Sequence, residues 1–122
     1  MTPFRKAAGV PYPHAYASQE QIAAASTPSQ KHALVTFNAA QRAHANFTEN
    51  VTVVVVGGLI AGLEYPRAAA GIVLAWSVNR VLYSVGYTRD AGKGRYWGGL
   101  SLILEKVVPF LAGKAAWNLA MR

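Results

Sequence analysis

Phe37-Asn38-Ala39-Ala40-Gln41-Arg42-Ala43-His44-Ala45-Asn46-Phe47-Thr48-Glu49-Asn50, running straight into the apolar stretch Val51–Leu63, decides the reading of this chain. As a helix, the polar half places Arg42, Asn46 and Glu49 at i, i+4 and i+7, so a cation, an amide and a carboxylate share one face. Polar and apolar halves together supply the ~20 residues needed to cross ~30 Å of hydrocarbon. A charged stripe at the mouth of a membrane is costly and calls for a polar partner or a function. Two readings stay open at this point: an interfacial cap where the helix leaves water, or one wall of a binding site.

Working outward, the segment before the stretch has no apolar core following Arg5 and Lys6, so it does not read as a signal peptide. Pro11, Pro13 and Pro28 are expected to interrupt helices there, leaving an interfacial segment over 1–36 with a short helix near Gln19–Ala25. After the stretch, Glu64-Tyr65-Pro66-Arg67 reads as a tight connection at a membrane boundary. Gly58 and Gly62, with Gly57 and Ala61 beside them, would let helices approach closely.

A second span is expected over about Ala68 to Tyr87. Trp76, Arg80, Tyr83 and Tyr87 fall at i, i+4, i+7 and i+11 on one face. Arg80 lies too deep to snorkel and must face protein or a ligand. An ion pair with Glu49 across two helices is the structural alternative for it. Residues 88–98 form a basic, glycine-rich loop with Arg89, Asp90, Lys93 and Arg95. A third span over about Gly98 to Ala120 is interrupted by Glu105, Lys106, Pro109 and Lys114. A charge at a span's centre costs about 2.5–3.5 kcal/mol on insertion scales, so an amphipathic surface helix is the alternative here.

Composition agrees with a membrane protein. Only 14% of the 122 residues are charged, against about a quarter in soluble domains, while 52% are hydrophobic. Cysteine is absent, which excludes disulfides and thiolate metal sites, and no metal site is expected. Any thiol chemistry must then use a cosubstrate. The net charge of +7 is dispersed along the chain, which argues against nucleic acid and suits anionic headgroups or a small anion. Arg5, Lys6, Lys31, Arg42, Arg89, Lys93 and Arg95 fall on one side of a three-span arrangement, with Arg67 and Arg122 on the other. The basic side is therefore expected in the cytosol.

The pattern Phe37-Asn38, Gln41-Arg42-Ala43-His44, Asn46 and Glu49 resembles the second-helix signature of the membrane-associated proteins in eicosanoid and glutathione metabolism. It is most similar to the microsomal glutathione transferase type-three branch. Arg80-Val81-Leu82-Tyr83-Ser84-Val85-Gly86-Tyr87 is similar to a second motif of that family, and Arg5–Pro13 resembles the loop after its first span. The resemblance runs from about Phe4 and fades in the last span. It implies an all-α transmembrane helix bundle, with residues 37–122 forming three spans of the family's four-helix bundle and the first helix lacking.

The resemblance further implies that glutathione is the cosubstrate. Arg42, Asn46 and Glu49 would hold it, with Asn38 a further amide. Arg80, Tyr83 and Tyr87 would reach the pocket from a neighbouring subunit of a homotrimer. His44 stands where leukotriene C synthases carry a glutamine that contacts the peptide, and Asn50 stands in place of their tyrosine. Arg5 and Lys6 match the basic pair that ends the first helix. The arginine credited with stabilising the thiolate corresponds best to Arg95, with Lys93 next. The implied function is conjugation of glutathione to lipophilic electrophiles, or reduction of lipid hydroperoxides, in the endoplasmic reticulum or nuclear envelope. The alternative is a catalytically inactive, truncated membrane protein of the same fold with a structural or interaction role.

Overall fold

The structure is a computed structural model that describes residues 1–89 and 98–122. Among the described residues five helices follow one another: α1 (Thr2–Ala8), α2 (Gln19–Ala23), α3 (Pro28–Glu64), α4 (Pro66–Arg89) and α5 (Gly99–Ala120). Pro28 does not end a helix, as the sequence reading expected, but starts one. It occupies the first turn, where an amide hydrogen would have no intrahelical partner, and Thr27 Oγ1 caps the turn by accepting from Gln30 N at 3.1 Å. The expected short helix is α2, closed by a capping box between Ser18 and Gln21.

At 37 residues α3 is ~55 Å long, well beyond the hydrocarbon thickness. Its first turns therefore stand clear of the membrane and carry the N-terminal segment. Ala8, Val10, Ala17, Leu34 and Phe37 form a small core there, with Phe4, Ile22 and Ala25 against it.

Tyr65 alone separates α3 from α4, which forces a tight antiparallel hairpin. A Cβ on Gly58 would come within 2.8 Å of Val73 Cγ2, and one on Gly57 within 2.7 Å of Val108 Cγ1. The small residues of α3 thus admit two different neighbours, Gly58 facing α4 and Gly57 facing α5. Ala61, Ala69 and Ala112 continue this three-helix contact toward the hairpin.

Both α3 and α4 are long and apolar enough to cross a membrane. With 22 residues, α5 matches a span in length but carries Glu105, Lys106 and Lys114. Glu105 does not face lipid. Its side chain is buried, accepts a hydrogen bond from Trp76 Nε1 at 3.1 Å, and lies 3.7 Å from Arg80 Nη1. That contact replaces the Arg80–Glu49 pair considered from sequence. The first turn of α5 lacks a side-chain cap of its own, and Asn79 of α4 supplies one, its Oδ1 accepting from Ser101 N at 2.7 Å. At the opposite end Asn118 donates to the Tyr65 hydroxyl at 2.9 Å and Arg122 pairs with Glu64. Leu59, Leu63, Leu74, Phe110 and Trp117 point outward. An apolar exterior around a polar interior contact is the pattern that lipid demands.

The Arg80–Glu105 pair generates a stability prediction. Glu105→Ala leaves a buried guanidinium without its counter-charge and is expected to destabilise the protein by about 3–5 kcal/mol. The double variant Arg80→Met/Glu105→Met is expected to melt at or above the wild-type temperature. Thermal denaturation in detergent checks both, and a double variant weaker than Glu105→Ala would contradict the assignment.

Candidate functional site

Helical geometry sorts the polar residues of α3. Arg42 and Glu49 lie two turns apart on the same face and form an ion pair at 3.3 Å, both about half exposed (51% and 54%). An exposed pair of this kind contributes little to stability, roughly 0–1 kcal/mol, and both groups remain open to a ligand. His44, two positions from Arg42, turns away by about 200° and lines a different, smaller cleft with Met1, Phe4 and Ser84. Asn46 sits one turn beyond Arg42, and its carboxamide oxygen is buried with no hydrogen-bond partner among the described residues. Asn50 donates to the Asn46 carbonyl at 2.8 Å.

A cleft of about 420 Å³ opens where α3, α4 and the N-terminal segment meet. Arg42 and Asn38 of α3, Tyr87 of α4, and Tyr16 and Gln19 of the N-terminal segment line it together with Ile22 and Val35. Residues from both sequence motifs therefore share one concave surface, as the alternation of three long helices allows. Since α4 has 24 residues, its last turn returns to the level of Arg42, near the membrane–water boundary.

Tyr83 and Tyr87, one turn apart, have ring centroids 5.4 Å apart. The Arg80 guanidinium lies over the Tyr83 ring at 4.3 Å and within 5.8 Å of the Trp76 ring. Trp76 in turn stacks on Phe47 of α3 at 5.8 Å. An aromatic path thus runs from the cleft at Tyr87, through Tyr83, to the buried Arg80–Glu105 pair. Arg80 itself is only 3% exposed and does not line the cleft. None of its three guanidinium nitrogens makes a hydrogen bond among the described residues, so Glu105 balances its charge without filling its donors.

Asn38 binds Ala17 with both ends of its amide, accepting from the backbone N at 2.7 Å and donating to the carbonyl at 2.9 Å. The guanidinium of Arg5 donates to the carbonyls of Val10 at 3.2 Å and His14 at 2.6 Å and lies 4.2 Å from the Tyr12 ring centroid. Arg5 therefore holds the loop that follows α1, whereas Lys6 is exposed. Lys93 and Arg95 lie outside the described residues. Tyr16 and Gln19 were not singled out from sequence. Nothing in local spacing signals them, because they reach the cleft through a contact spanning 21 residues.

Fold and site together define a helical membrane protein with a cleft of mixed polar and apolar lining at one end of its bundle. The MAPEG family model matches residues 1–116, and the chain belongs to that family. No solved structure matches it. Membership makes this a membrane protein of the glutathione-related transferase, peroxidase or eicosanoid-metabolism kind.

Arg5→Ala removes the carbonyl contacts that fold the loop back on itself. The variant is expected to show faster amide exchange and easier limited proteolysis across residues 9–17, with the long helices unaffected. Unchanged exchange at His14 would show that the loop does not depend on Arg5.

Proposed function

We propose that the chain is a glutathione-dependent membrane transferase acting on lipophilic electrophiles, with lipid hydroperoxides as alternative substrates. The observation that carries this reading is the shared cleft of Arg42 and Tyr87. Its volume lies within the roughly 300–1,000 Å³ of small-molecule sites.

Glutathione carries two carboxylates, an ammonium and a thiol. Arg42 is a half-exposed cation for a carboxylate, and Glu49 an equally open partner for the ammonium. Tyr87 and Tyr16 add phenols to the same wall. Arg95, or failing it Lys93, is the residue proposed to stabilise the thiolate, because a nearby cation favours the ionised sulfur. The electrophile arrives through the bilayer. The sulfur forms a bond to its reactive carbon, and the leaving group departs with its electron pair. With a hydroperoxide, the thiolate instead attacks the distal oxygen, the O–O bond breaks and the alkoxide takes up a proton and leaves as the alcohol; a second glutathione thiol then attacks the resulting sulfenic acid, giving the disulfide and water. A homotrimer in the endoplasmic reticulum or nuclear envelope is the proposed assembly.

A second reading has an observation of its own. Arg80 is turned into the core against Glu105, an arrangement that a catalytically inactive protein of the same fold would keep for stability alone.

Purified protein in detergent, assayed for glutathione-dependent conjugation of chlorodinitrobenzene, separates the two. Arg95→Ala is expected to lower kcat by about 10²-fold or more, the scale of losing an electrostatic stabiliser. Arg42→Ala is expected to raise KM for glutathione by about tenfold, with a smaller effect on kcat. No conjugation, together with no saturable glutathione binding, establishes the inactive reading.

A further inference from the structure

Asn38 falls within the α3 motif and borders the cleft, yet its amide is already engaged. It accepts from Ala17 N and donates to Ala17 O, gripping both backbone polar groups of a single residue as a neighbouring strand would. Ala17 is buried in the small core with Val10, Leu34 and Phe37, so the grip is backed by apolar contact. On one side of Ala17 stands Tyr16. On the other, Ser18 caps α2, whose first residue is Gln19. Both Tyr16 and Gln19 line the cleft with Arg42 and Tyr87.

We propose that Asn38 is a positioning residue. By clasping Ala17 it sets Tyr16 and Gln19 as the third wall of the cleft, and Tyr16 contacts the bound ligand through its hydroxyl. The inference rests on the glutathione reading above. It adds a role for the N-terminal segment in binding, with the Tyr16 phenol donating to a carboxylate or peptide carbonyl of the tripeptide. The preceding loop is held separately by Arg5 through the carbonyls of Val10 and His14. Residues 9–17 are thus pinned near both ends, and the Asn38 clasp is the end that faces the ligand.

Tyr16 is 42% exposed, so Tyr16→Phe removes one hydroxyl without opening a cavity. Glutathione titrations of wild type, Asn38→Ala, Tyr16→Phe and the double variant, in the same detergent, form a double-mutant cycle. Asn38→Ala is expected to raise the Kd for glutathione by about tenfold and Tyr16→Phe by about fivefold. The double variant should lose no more than Asn38→Ala alone, because one residue acts through the other. In turnover, Asn38→Ala should raise KM for glutathione far more than it lowers kcat, a split that general destabilisation would not produce.

Effects that multiply in the double variant overturn the proposal, as does a wild-type Kd in Asn38→Ala. Should Asn38→Ala fail to fold, an unchanged Kd in Tyr16→Phe overturns it. Wild type that binds glutathione and loses affinity on Arg42→Ala, beside an indifferent Tyr16→Phe, sinks this proposal alone. Wild type with no saturable binding sinks the glutathione reading and this proposal with it.

Discussion

In a bundle whose outer faces are largely leucine, valine and phenylalanine, a charge turned into the interior must be matched there. Arg80 and Glu105 meet that constraint by facing each other across α4 and α5, with Trp76 holding the carboxylate. The contact fixes the rotation of both helices, because turning either would expose a charge to hydrocarbon. Once α4 is oriented in this way, Tyr83 and Tyr87 follow on the same face, and Tyr87 reaches the cleft beside Arg42. The placement of the site thus descends from a buried pair that does not itself line it.

The charges at the end of the bundle behave differently. Arg42 and Glu49 are half solvated, and their mutual attraction is weak enough for a zwitterionic ligand to replace it. Arg5 and Asn38 are occupied with backbone groups, and through them the N-terminal segment becomes part of the cleft. Polar residues of one short region therefore divide into those that build the wall and those left solvated, of which Arg42 lines the cleft.

Much of this was legible in the chain. The i, i+4, i+7 spacing placed Arg42 with Glu49, and the depth of Arg80 required a protein or ligand partner. The identity of that partner was not legible. Glu105 reads as a flaw in a span because pairing across helices depends on register, which local pattern does not contain. Pro28 is ambiguous in sequence for a related reason. A proline that breaks a helix interior is equally suited to its first turn, and the choice depends on Thr27 being free to cap. Asn38 looked like one more amide for a ligand, since nothing within a few residues reveals a clasp on Ala17. Gly58 and Gly62 suggested a helix interface without saying which, and here Gly58 admits α4 of the same chain.

A cryo-electron microscopy map of the protein in lipid nanodiscs with saturating glutathione tests the central claim most directly. Density for the tripeptide is expected between Arg42 and Tyr87, bordered by Tyr16, with the Arg80–Glu105 pair intact behind Tyr83. An empty cleft in a well-resolved bundle, or Arg42 and Tyr87 facing separate surfaces, would contradict it.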